Sequence, residues 1–201
     1  FNYLDLEDTR VGKNDEMYGS SEVAINTMQG RNLLSDDELS LYEEKLYQLQ
    51  QWLETLGIDF YYMQCYQKMT ILDEEYPKGL VWYETEYVGE NTEKYIMQKS
   101  RVNIVPMHET MEMAAKEQTI YLKYIDVCHW NDAGMYLGYK NLMQEIQKKH
   151  PEVDYLRMED YDIAWLESYK DVYGFRYPFV EEVPYYQIKE AKAVEKECVF
   201  N

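Results

Sequence analysis

Residues 119–149 read TIYLKYIDVCHWNDAGMYLGYKNLMQEIQKK, and the fold of the chain turns on how this stretch is parsed. Its first seven residues are rich in β-branched and aromatic side chains, which favours a strand over 119–125. Asn131 stands where a helix cap belongs, with a side-chain oxygen able to accept from the free N–H groups of a first turn. Met135, Tyr139, Leu142, Met143 and Ile146 then recur at helical spacing, and Pro151 lies beyond them, so the pattern predicts a helix over 132–149. Asp126, Cys128 and His129 fall between strand and helix. In a parallel sheet covered by helices, functional groups gather at the carboxyl ends of the strands, and these three residues are expected at such an end.

The same alternation extends upstream. Ser35 and Glu38 have the spacing of a capping box, Leu39, Tyr42, Leu46, Leu49, Leu53 and Leu56 follow at intervals of three and four, and Gly57 closes the run. A helix here is expected to bury Leu39, Leu46, Leu49 and Leu53 and to turn Glu43, Glu44, Lys45 and Gln51 to solvent. IDFYYMQC (58–65) reads as a strand buried on both faces. More weakly, 91–100 reads as helix, VNIVPM (102–107) as strand and HETMEMAAKEQ (108–118) as helix, with Met111, Ala114 and Ala115 inward. Helices alternating with short apolar strands imply a three-layer α/β/α class with a mainly parallel sheet. The expected organisation is a polar segment 1–34 of loops and short strands, an α/β core 35–150, and an irregular aromatic-rich extension 151–201.

At 201 residues the chain suits one α/β domain, or most of a larger one. It carries 38 acidic against 20 basic residues, a formal charge of −18, which disfavours nucleic acid and anionic lipid as partners and leaves an uncharged or cationic one. The 22 tyrosines and 4 tryptophans can fill a core or stack on sugar rings. No run of 18 apolar residues exists, so no segment is expected to insert in a membrane. The chain opens at Phe1 rather than methionine, and an upstream segment is expected to precede it. Cys65, Cys128 and Cys198 lack a disulfide framework or a CxxC spacing, so neither metal nor cofactor is expected, although Cys65 and Cys128 beside His129 offer a thiol pair or metal site as the alternative.

Asp126 and His129 carry the chemistry. A histidine acting as general base uses one ring nitrogen toward a nucleophile while a carboxylate holds the other N–H. The competing reading is a capped turn with a satisfied histidine. Trp130 is a candidate support for His129 or sugar-site wall, and Asn131 a cap or substrate contact. Lys68, with Gln67, follows the 58–65 strand and is a candidate on the rim facing His129.

The block YIDVCHWNDAGMYLGYKNLMQEI resembles the Asp/His block of SGNH hydrolases, and more closely that of the alginate O-acetylation proteins AlgX and AlgJ, whose relatives carry D-x-H-W-N-x-x-G after a strand. RVGKNDEMY, the helix and strand of NLLSDDELSLYEEKLYQLQQWLETLGIDFYYMQ, and QKMTILDEEYPKG resemble further segments of that subgroup in the same order, so that 11–150 is covered. The acid stands three residues before the histidine here, as in the wider superfamily, because Val127 occupies the subgroup's place. The family's nucleophilic serine, in a GDS-like motif, is not found. Ser20 and Ser21 are the sole local imitation, with no apolar strand before them.

What the resemblance implies is an incomplete SGNH-like (flavodoxin-like) domain from an extracytoplasmic O-acetyltransferase or acetylesterase of the cell envelope. Asp126 and His129 would be catalytic, with the serine outside this chain, and Trp130, Lys68 and Asn131 would bind substrate. The partners would be a polysaccharide and an acetyl donor, the latter delivered through a membrane acetyl-transfer protein, and the isolated chain would be inactive. The alternative function is a non-catalytic glycan-binding module of such a system.

Overall fold

The computed structural model describes residues 9–77, 86–172 and 175–189, and Cys198 lies outside them. Six α-helices and three two-stranded sheets make up the described part. β1 (Thr9–Val11) and β2 (Met17–Gly19) pair antiparallel, followed by α1 (Glu22–Met28), whose N–H at Ala24 donates to the Ser21 hydroxyl at 3.3 Å. The N-terminal segment thus holds a helix that its polar, glycine-broken sequence did not announce.

α2 (Asp36–Thr55) begins at Ser35 with the capping box formed: the Ser35 N–H donates to the Glu38 carboxylate at 2.8 Å. Its buried stripe is rotated from the leucine stripe. Leu39 is 3% exposed, but Leu49 is 40% and Leu56 57% exposed, while Glu43, expected in solvent, is buried. The inner face is polar because it meets a backbone that needs partners. Gln50 accepts from the Asn103 N–H at 2.7 Å and donates to the Arg101 carbonyl at 3.3 Å, and Glu43 pairs with the Arg101 guanidinium.

β3 (Tyr62–Met63) and β4 (Ile104–Val105) pair in parallel, with Tyr62 opposite Ile104 and Met63 opposite Val105. α3 (Lys68–Ile71), α4 (Val88–Lys99), α5 (His108–Glu117) and α6 (Asp132–Lys149) complete the helices. The class is mixed α/β, but β3–β4 is the single parallel pair among the described residues, so the expected mainly parallel, flavodoxin-like sheet is corrected to small separate sheets.

The difference lies largely in 119–125. Instead of joining a parallel neighbour, this segment is met by the chain returning antiparallel. The Asn131 N–H donates to the Ile120 carbonyl at 3.0 Å, the Leu122 N–H to the His129 carbonyl at 3.2 Å, and Tyr121 bridges Trp130. A loop spanning 123–128 hangs from this short hairpin. Downstream, β5 (Tyr161–Val172) and β6 (Phe175–Ile188) form a long antiparallel hairpin. It occupies most of the described part of the 151–201 extension, where irregular structure with a strand or two was expected, and prolines and charges that mask a period in sequence are tolerated on a two-stranded ribbon.

The core has two centres. Tyr66, Val105, Met107, Met111, Ile120, Tyr121 and Ala133 join β4, α5 and α6, and Tyr18, Ala24, Met28, Met69, Tyr76 and Tyr87 join the N-terminal hairpin to α1 and α3. The 119–131 hairpin lies against the first centre.

Candidate active site

Asp126 sits in the loop and organises it. Its Oδ1 accepts the N–H groups of Cys128 and His129, both at 2.8 Å, and its Oδ2 lies 2.9 Å from His129 Nδ1. The two readings of the sequence therefore coexist: one carboxylate oxygen caps the turn, and the other holds the imidazole. Partial burial alone would raise the Asp126 pKa, but the Cys128 N–H, the His129 ring and the His129 N–H outweigh it and bring the carboxyl down to about 2. Asp126 is thus ionised at neutral pH. It can fix the tautomer with the proton on Nδ1 and leave Nε2 as the acceptor.

The loop is clamped from two sides by buried charges. Lys68 is fully buried, and its ammonium donates to the carbonyls of Met17 at 3.1 Å, Leu122 at 3.0 Å and Lys123 at 3.2 Å, with the Glu16 carboxylate at 2.8 Å. Burial lowers its pKa, which Glu16 opposes. Lys68 therefore holds the loop backbone from within rather than standing on a substrate rim. From β6, the buried Glu181 accepts the N–H groups of Lys123 at 2.6 Å and Ile125 at 3.3 Å.

Trp130 closes the far end. Its indole N–H donates to the Tyr66 carbonyl at 2.7 Å, and its ring lies over the start of α6. Two glycines make that approach possible. A Cβ on Gly134 would stand 2.5 Å from the Ile120 carbonyl oxygen, and one on Gly138 2.9 Å from the Trp130 ring. Asn131 is 4% exposed and occupied with structure: Oδ1 accepts the Gly134 N–H at 3.1 Å, and Nδ2 donates to the Thr119 carbonyl at 2.9 Å. It is a helix cap with no face left for substrate, so the expectation of a substrate contact does not hold for Asn131 or for Lys68.

Cys65, Tyr66 and Gln67, which follow β3, line a cleft of about 400 Å³ together with Cys128, His129, Trp130 and Met135. The His129 side chain is 75% exposed there. Cys65, Gln67, Cys128, His129 and Trp130 are the residues the sequence pointed to in this region, whereas Glu16, Glu181 and the place of Met135 in the cleft were not legible there. The i, i+4 spacing of Gly134 and Gly138 was the available signal for the Trp130 slot, whereas nothing local marks Glu181.

Cys128 Sγ lies 3.4 Å from His129 Nδ1, but burial and the Asp126 charge push its thiol up to about 11, so it is a poor nucleophile at neutral pH. Asp126, Cys128 and His129 also place one ligand atom each within 4.8 Å of one another, a set able to hold a cation. A cation on Nδ1 and the proton that Asp126 holds there exclude one another. Ser21 caps α1 and Ser20 is buried, and neither is among the partners of His129 in the described residues.

The fold is similar to that of solved structures of Bacillus cereus PatB1. One matches with a TM-score of 0.56 at 21% identity, covering 76% of this chain and 52% of that one. The structure of PatB1 with a sulfonyl adduct matches with a TM-score of 0.62 at 17% identity, covering 88% and 55%. The chain thus spans about half the length of these structures, and the likeness is one of fold. No family model and no curated protein sequence matches it.

Proposed function

We propose that this chain is the base-bearing part of an O-acetyltransferase or acetylesterase that acts on a polysaccharide outside the cytoplasm, with the nucleophilic serine supplied by a segment outside the 201 residues. The observation that carries this is the Asp126–His129 pair at 2.9 Å, opening on a cleft of about 400 Å³. Its support is the likeness in fold to PatB1, a polysaccharide O-acetyltransferase of SGNH-like fold. The likeness favours acetylation of a polysaccharide in general and does not extend to the AlgX/AlgJ subgroup.

In this mechanism His129 Nε2 takes the serine proton as Oγ attacks the acetyl carbonyl. The tetrahedral intermediate then expels the donor's alkoxide, which receives that proton from Nε2, and an acetyl-serine remains. A sugar hydroxyl next gives its proton to Nε2 and attacks the acetyl group, and the departing serine oxygen recovers the proton. Water in place of the sugar makes the same sequence an esterase. Asp126 stays ionised throughout and stabilises the imidazolium at each step. Cys65, Gln67 and Trp130 line the cleft that would receive the acetyl group.

The test is an acyl-enzyme assay on the full-length parent. With an activated acetyl ester, intact-mass analysis should show one added acetyl group in the wild type and none in the first seconds for His129→Ala. Equal acetylation of the two proteins would overturn the proposal.

A further inference from the structure

A second cleft, of about 190 Å³, adjoins the first and takes no part in holding Asp126 or His129. Asp132, Met135, Tyr136, Tyr139, Tyr161 and Tyr186 line it. The first four lie on one face of α6, at i, i+3, i+4 and i+7, and the other two come from the β5–β6 hairpin packed on that face. Met135 lines both clefts and is 54% exposed, so the two meet over its side chain. The α6 face from Asp132 to Tyr139 is about 10 Å long at 1.5 Å per residue.

The rings form a cradle rather than a closed core. Tyr136 meets Tyr161 edge-on at a centroid distance of 5.6 Å and Tyr186 at 6.1 Å, and Tyr161 meets Tyr186 at 5.8 Å. All are half-buried. Tyr139 has its hydroxyl occupied by the Leu156 N–H at 2.9 Å, but among the described residues the hydroxyls of Tyr136, Tyr161 and Tyr186 have no hydrogen-bond partner. Each hydroxyl is neutral at ordinary pH, since burial raises all three pKa values. Apolar ring faces beside unpaired neutral donor–acceptors suit a molecule with C–H faces and an equatorial rim of hydroxyls. The charges that bear on these tyrosines among the described residues include Asp132, Glu159 and Asp160 against Arg157, and Arg157 is stacked on Tyr155 at 3.6 Å. A carboxylated or phosphorylated sugar would meet net repulsion.

We infer that the tyrosine cleft is an acceptor subsite for one uncharged or amino-bearing hexopyranose of the glycan chain, seating it so that a neighbouring sugar reaches over Met135 to His129. This rests on the acetyl-transfer reading above and adds to it the class of sugar accepted: neutral or cationic, and not a uronate.

The test is saccharide binding by the 201-residue chain, which needs no acetyl transfer. Tetramers of N-acetylglucosamine, of glucosamine and of mannuronate are titrated while the Met135 methyl and tyrosine-ring NMR resonances are followed. The first two should shift Met135 and Tyr136, and mannuronate at equal concentration should not. Tyr136→Ala should weaken binding roughly tenfold. Tyr161→Phe, which keeps the ring and the fold, should weaken it about threefold by loss of one hydroxyl. Mannuronate binding as well as the others, affinity indifferent to Tyr136→Ala and Tyr161→Phe, or shifts away from this cleft would each overturn the inference, even with acetyl transfer intact in the parent. Binding as described in a parent that forms no acyl-enzyme would instead overturn the acetyl-transfer reading alone.

Discussion

Asp126 accepts three hydrogen bonds from its own loop, and this makes its ionisation a source of stability. Its carboxyl titrates near 2 in the folded chain against an ordinary value of 3.8, so the contribution is complete above about pH 4 and is lost as pH falls through the folded value. Wild type should therefore lose about 1–2 kcal/mol more than Asp126→Asn between about pH 5 and pH 2, a figure reduced for the partly exposed carboxylate. Denaturant unfolding at the two pH values measures it, and parallel curves for the two proteins would contradict it. Lys68 presents the opposite case, a buried cation whose ammonium is surrounded by four oxygens. Lys68→Ala would strand the Glu16 carboxylate and three carbonyls, and should cost about 3–5 kcal/mol. A loss below 1 kcal/mol, on the order of an exposed ion pair, would mean that the clamp is not formed in solution.

Among the elements, α2 shows where periodicity succeeds and where it fails. Its limits and capping box were legible because capping is a local affair of Ser35 and Glu38. The direction of its inner face was not, because Glu43 and Gln50 are drawn inward by Arg101 and Asn103, more than fifty residues away. Leu39→Ala should accordingly cost about 2–5 kcal/mol, and Leu49→Ala less than about 1 kcal/mol. Thermal unfolding of both variants decides between this ordering and the leucine stripe. The loop bearing Asp126 depends likewise on a distant element. Glu181→Gln replaces one acceptor oxygen by an amide that cannot take an N–H, so hydrogen exchange at Lys123 or Ile125 should quicken by about tenfold. Unchanged exchange at both amides would show that β6 does not brace the loop.

For the chain as a whole, the sequence made α6 and the grouping of Asp126, Cys128 and His129 readable, since both are set by residues within one short stretch. The mainly parallel sheet was misjudged because β-propensity over 119–125 reports a pleated, half-buried environment and not which neighbour supplies it. The returning Trp130–Asn131 segment, Lys68 and Glu181 supply it here. The tyrosine cleft was invisible for the same reason: Tyr136 and Tyr139 meet Tyr161 and Tyr186 only once the hairpin folds onto α6. The tyrosine cleft and the dyad cleft share Met135, so the proposed acceptor subsite adjoins the proposed base. The acetyl-transfer rate of the full-length parent carrying Asp126→Asn, with its fold verified by circular dichroism, weighs this account against the capped-turn alternative. Asparagine keeps the turn but cannot hold the Nδ1 proton or offset the imidazolium charge, so the rate should fall by about 10³- to 10⁴-fold. A rate within about twofold of wild type would show that Asp126 serves the turn alone and that His129 is not the base.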